Sequence, residues 1–181
     1  MSAEALEQYL NVCGILSCNV NPYLPSLGDV GCTWADAVAL IDAHKLFFCK
    51  CWRRRTVYLS PEVYHLLKAC KPQRPMPEDS AVLFALLEQE PGMESGDLRV
   101  RSLLGQTAFV KALDFLLEER YVTAISNGTW LNPNWSTYWY GTAGAWEACA
   151  AAPQECPEPE TRLRTILGRT MPEDELEKLL R

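Results

Sequence analysis

Histidine is scarce in this 181-residue chain, with two against eight cysteines, and no apolar run approaches the roughly 20 residues that a membrane-spanning helix requires. The opening, MSAEALEQYLNV, is acidic and amphipathic and lacks both the positive and the apolar regions of an export signal. The expectation is therefore a cytoplasmic protein without membrane contact, whose cysteines are thiols rather than a disulfide framework. No C-x-x-C pair occurs, and Cys49 and Cys51 lack a second paired knuckle even though His44, His65 and Cys70 are nearby in sequence. A structural zinc site is not expected, because such sites are built from paired ligands at fixed spacing. Neither histidine sits in a motif that would pair it with a nucleophilic cysteine, and no glycine-rich phosphate loop of the G-x-x-x-x-G-K or G-x-G-x-x-G type is present. No cofactor, metal or catalytic residue is assigned.

Apolar residues make up 48% of the chain and charged ones 22%, which suits a soluble protein with a substantial core. The net charge of −6 is unevenly distributed. Residues 45 to 74 hold eight Lys or Arg (Lys45, Lys50, Arg53, Arg54, Arg55, Lys68, Lys71, Arg74) and one acid, Glu62, a local balance of +7 that leaves −13 for the rest. One surface of such a molecule can meet a phosphate backbone while the remainder repels it.

Periodicity and capping signals divide the chain. A first helix is expected over Ala3 to Val12, followed by a Pro-, Gly- and Asn-rich stretch. Thr33 with Asp36 opens a second helix, WADAVALIDAHKLFF, by a capping box. The aromatic and β-branched runs KLFFCKCW and TVYLS, joined by RRR, read as a hairpin with a basic tip, in which Cys49 and Cys51 share the buried face of Phe47. Ser60-Pro61 opens the helix PEVYHLLKAC. Three prolines in KPQRPMPED mark a linker, placed at 72–77, between an N-terminal unit over 1–71 and a second domain over 78–150. That second domain begins with three helices. The first turns Val82, Leu83, Leu86 and Leu87 inward; the second is capped by Ser95 and stopped by Gly105; the third buries Phe109, Val110, Leu113, Leu116 and Leu117. A hairpin follows, with Asn127-Gly128 as its expected tight turn and Tyr138 and Tyr140 on one strand face, Trp139 on the other. Residues 151–181 read as a Pro- and Glu-rich linker and a C-terminal helix with Thr170 and Glu173 as a capping box.

Helix, helix, helix, hairpin is the winged-helix order, the variant of the helix-turn-helix in which a hairpin packs beside the third helix. The fold class expected is thus α+β, winged-helix. The echo between ALIDAHKLFFCKCWRRRTVYL and FLLEERYVTAISNGTWL leaves open one such unit or two in tandem.

The segment LLEQEPGMESGDLRVRSLLGQTAFVKALDFLLEERYV, with the aromatic strand ending at Trp146, resembles the winged-helix proteins related to the bacterial DNA glycosylase AlkZ, also called YcaQ. The region TWADAVALIDAHKLFFCKCWRRRTVYLS is similar to what precedes it in short AlkZ-related proteins. The resemblance implies a DNA-facing winged-helix scaffold. The glycosylases of that family carry a Q-x-Q or Q-x-D motif and are longer; none of the five glutamines (8, 73, 89, 106, 154) forms such a pair here, so a non-catalytic nucleic-acid-binding or accessory role is expected ahead of base excision. The third helix would show Gln106, Thr107, Lys111, Asp114 and Glu118 to solvent, a set that is not basic. Contact with duplex DNA would then fall to the first hairpin, through Lys50, Arg53, Arg54 and Arg55 as phosphate partners with Trp52 and Tyr58 as stacking surfaces. A protein partner, bound through exposed tryptophans, is the alternative.

Overall fold

The computed structural model describes residues 2–132 and 135–181. Along the chain run α1 (Ala3–Cys13), β1 (Ile15–Ser17), α2 (Trp34–Asp42), β2 (Phe47–Trp52), β3 (Arg55–Leu59) and α3 (Pro61–Cys70). They are followed by α4 (Glu78–Gln89), β4 (Met93–Glu94), α5 (Ser95–Ser102), α6 (Gln106–Glu118), β5 (Val122–Asn132) and β6 (Trp135–Thr142), and then by α7 (Ala143–Glu147), α8 (Pro159–Leu167) and α9 (Glu173–Leu180). The fold is α+β, with two small antiparallel sheets ordered β1-β3-β2 and β4-β6-β5. No helix among the described residues is long and apolar enough to cross a membrane.

Local chemistry explains most boundaries. Thr33 accepts the Asp36 amide while the Asp36 carboxylate accepts the Thr33 amide, so two orphan donors at the start of α2 are satisfied reciprocally. Ser60 accepts the Val63 amide and Pro61 supplies the preset φ of a first helical residue. Between β2 and β3 the chain reverses over Arg53 and Arg54, with φ of 50° and 55°. Two consecutive left-handed residues are what a two-residue hairpin turn with the right twist requires.

Several boundaries differ from those the sequence suggests. The turn of the second hairpin is not at Asn127-Gly128, because β5 continues through both to Asn132. Gly128 serves there for close approach: a Cβ on it would overlap Thr137 Oγ1 and stand 2.7 Å from Glu94 Oε1. Ser95 is the first residue of α5 rather than its cap, and the helix stops at Leu103 in the left-handed region, while Gly105 opens α6. Val82 and Val110 face solvent, at the edge of the apolar stripes of α4 and α6. Helix α9 starts after Pro172 without a side-chain cap; Glu173, Asp174 and Glu175 in its first turn answer the positive end of the dipole instead of a Thr170 box. Part of the expected C-terminal linker is α8, which buries Leu163, Ile166 and Leu167.

The two halves repeat one plan. In each, a helix and a short strand are followed by one or two helices and a hairpin, and the short strand pairs with the second hairpin strand. The first hairpin strands, β2 and β5, face each other edge to edge through Thr123, whose hydroxyl accepts the Phe48 amide at 3.0 Å and donates to the Phe48 carbonyl at 2.8 Å. A side chain thereby satisfies two buried backbone groups where a ladder would otherwise have to continue. Each half also lends a helix to the other: α6 packs on β2, tied by Lys50 to Asp114, and α2 packs on β5, where Asp42 Oδ1 accepts the Asn127 amide at 2.6 Å.

The core does not divide along these halves, since each of its two clusters draws on both. One cluster joins α1 and α2 to α4, α5 and α6 through Leu6, Ile41, Leu83, Leu98 and Leu116. The other joins the inner face of β2 and β3 to α3, α8 and α9 around Trp52 and Trp146. Trp146 is fully enclosed, donating its indole N–H to the Leu46 carbonyl at 3.0 Å and meeting Phe47 and Tyr64 edge-on.

Candidate anion-binding cleft

The hairpin tip is not a free charged loop. Arg53 reaches down to Glu175, donating from Nε to Oε2 and from a terminal nitrogen to Oε1, both at 2.6 Å. Glu175 is completely buried and also accepts the Trp52 indole N–H at 3.1 Å and the Lys178 ammonium at 2.7 Å. The Arg53 hydrogen bonds, with Lys178 assisting, hold the Glu175 carboxyl at about 2 against the opposing pull of burial. The Arg53 guanidinium lies 4.2 Å from the centre of the Tyr23 ring. Arg54 is 82% exposed and pairs loosely with Glu118 at 3.4 Å, and Lys50 pairs with Asp114 at 2.6 Å.

Beside this tip lies an open cleft of about 360 Å³. Lys50, Arg53, Arg54, Lys71, Arg74 and Arg181 line it, with Cys51, Pro72, Glu118 and Glu119. Arg74 is held by Glu119, whose carboxylate accepts from its backbone amide at 2.9 Å and from Nε at 2.6 Å. Burial would push the Glu119 carboxyl up, but these bonds keep it below the usual range. Lys71 donates to the Leu179 carbonyl at 2.7 Å and has no carboxylate partner among the described residues; burial and the neighbouring Arg120 guanidinium pull its pKa down. Arg120 is only 2% exposed, and it donates to the Lys71 carbonyl at 2.9 Å. No carboxylate lies within ion-pair distance of it among the described residues. Six cations thus meet four carboxylates, and a fully buried guanidinium lies behind them.

Of the residues expected to contact nucleic acid, Lys50, Arg53 and Arg54 come together in this cleft, and Arg55 is exposed on β3. Trp52 and Tyr58 are corrections: they are 1% and 0% exposed, because both faces of this sheet are covered, with Trp52 packed in the cluster of Phe47 and Trp146 and Tyr58 in that of Phe48, so neither offers a stacking face. Asp114 and Glu118, read as solvated residues of α6, pair with Lys50 and Arg54. Arg120, Arg181 and Glu175 carry no sequence signal, since a charged residue at a helix end reads as solvated wherever its tertiary partner is unknown.

The exposed aromatics lie elsewhere. On the β5–β6 hairpin Trp130, Leu131, Trp135 and Trp139 are 47%, 68%, 48% and 43% exposed. Trp135 leans on Trp34 of α2, with ring centres 4.6 Å apart. A larger hollow of about 800 Å³ runs between α3 and residues 149–162, lined by His44, His65, Cys149 and Cys156 and bridged by Glu62 with Arg162. No group of three or more His, Cys, Asp or Glu among the described residues is placed to hold a metal ion. No family model, curated protein or solved structure matches the chain.

Proposed function

We propose that the chain is a non-catalytic accessory module of AlkZ-related, tandem winged-helix type that binds nucleic acid by its phosphate backbone. The observation that carries the proposal is the cleft beside the first hairpin, where six cations meet four carboxylates, Glu118 and Glu119 in its wall and Asp114 and Glu175 outside it, in a protein of net charge −6. The scaffold reading draws support from the strand order, in which the short strand lies beside the second strand of the hairpin in both halves, and from the second half's three helices before its hairpin, where the first half has two. Arg53 is a structural residue in this reading, because its charge is committed to Glu175. The phosphate contacts are Lys71, Arg54 and Arg55, which keep exposed or unpaired charge. A cytoplasmic location belongs to the same reading and suits eight free thiols.

Binding of a fluorescent duplex across a salt series tests the proposal. Lys71→Ala and Arg54→Ala should each weaken binding regardless of base sequence and lower the slope of log K against log salt by about 1. Unchanged affinity and slope in both variants would remove the cleft as the contact.

The exposed Trp130, Trp135 and Trp139 favour a second reading, a protein-interaction module whose anchors are aromatic side chains of the β5–β6 hairpin. A partner that co-purifies with the protein and is lost in Trp130→Ala and Trp139→Ala, with no DNA retardation at low salt, would establish that reading instead.

A further inference from the structure

We propose that Cys49 and Cys51 form a hydroperoxide-responsive dithiol, in which Cys51 is oxidised first and Cys49 resolves it to an intrachain disulfide. The inference is independent of the nucleic-acid reading.

Geometry carries it. Residues two apart on a regular strand share a face but stand about 6.7 Å apart along it, whereas a disulfide holds its Cβ atoms about 3.8 Å apart. Here the ladder between β2 and β3 loses register between Cys49 and Trp52, and the two sulfurs lie 3.4 Å from each other. A bond of about 2.05 Å needs an approach of little more than 1 Å. The pair is also asymmetric in access. Cys51 is half-buried and lines the cleft, open to a small solute, while Cys49 behind it is fully enclosed.

The surroundings favour a thiolate on the outer sulfur. Lys71 lines the cleft and Arg120, buried, donates to the Lys71 carbonyl; neither has a carboxylate in ion-pair contact among the described residues. The hydrogen bond with Cys49 lowers the Cys51 thiol pKa against the cost of burial, and the charges of Arg120 and Lys71 lower it further. Burial pushes the Cys49 thiol well up, which suits the partner that keeps its proton until the second step.

The chemistry balances with a hydroperoxide as oxidant. The Cys51 thiolate attacks the terminal peroxide oxygen; the O–O bond breaks, the remaining alkoxide or hydroxide leaves and takes a proton from water, and Cys51 becomes a sulfenic acid. The Cys49 sulfur then attacks the Cys51 sulfur, the S–O bond breaks, and the hydroxyl departs as water with the proton released by Cys49. Two thiols are oxidised to one disulfide, and the hydroperoxide is reduced to an alcohol or water.

Mass spectrometry of the reduced wild-type protein treated with one equivalent of hydrogen peroxide, alkylated and digested with trypsin, provides the test. The tryptic segments 46–50 and 51–53 should appear joined, 2 Da lighter than their sum, before Cys149 is consumed. In Cys49→Ser, Cys51 should accumulate as a sulfenic acid that dimedone traps. Recovery of both segments separately alkylated, at a dose that has already oxidised Cys149, would overturn the proposal, and that readout depends on no variant folding.

Discussion

The two hairpins are built on one plan and put to opposite uses. The first is short, turns over two arginines, and commits Trp52 and Arg53 inward, where they converge on the buried Glu175, while Arg54 and Arg55 stay exposed. The second is long and carries its tryptophans outward beyond the point where β5 leaves the other sheet. A basic tip and an aromatic strand read alike in sequence whether they face a ligand or the core. What separates them is the partner waiting in the tertiary structure. Only the first hairpin has α9 beneath it.

The largest test of this contrast is a pair of identical substitutions. Trp52→Ala should cost about 4 kcal/mol, a fully buried indole lost together with a donor to Glu175. Trp130→Ala should stay within about 0.5 kcal/mol, as expected of an exposed side chain. Chemical denaturation of both variants measures the difference, and similar losses would abolish the distinction.

The anchor of the first hairpin should next be visible in acid. Glu175 titrates at about 2 in the folded protein, against about 4.3 for an unperturbed glutamate, so the unfolded chain binds its proton first. Its contribution is complete above pH 4.3 and disappears as pH falls through 2. Glu175→Gln should therefore flatten the fall in stability between these values, measured by urea midpoints at successive pH. An unaltered profile would mean that the Arg53 contact has no weight.

Thr123→Val tests the seam where the two hairpins meet. It leaves the Phe48 amide and carbonyl buried without their partner, and about 2 kcal/mol should be lost although the side-chain volume is kept. The smallest effect expected is a gain. Arg54→Gly relieves a left-handed residue at a tight turn and should add about 0.5 kcal/mol, once the greater freedom of an unfolded glycine is offset.

Sequence patterns made the helices legible because their signals are local. Thr33 with Asp36 and Ser60 with Pro61 lie within one turn of the ends that they define. The short strands β1 and β4 were not legible, since two or three residues show no periodicity, and α8 is masked by the prolines before it. Asn127-Gly128 misleads for a physical reason: the same missing Cβ that permits a turn permits the approach of Thr137 and Glu94. The site was legible in part. The excess of cations in residues 45 to 74 marks the cleft, but the carboxylates that answer them come from Asp114, Glu118, Glu119 and Glu175, and no spacing rule connects residues so far apart in the chain.

The salt dependence of duplex binding decides whether the cleft holds a phosphate backbone. Wild-type protein should bind with an affinity that falls steeply with salt, and Lys71→Ala should reduce both the affinity and the slope while leaving the melting temperature within about 2 °C. Duplex binding that is absent at low salt, or that is identical in the two proteins, would remove the cleft as a phosphate site.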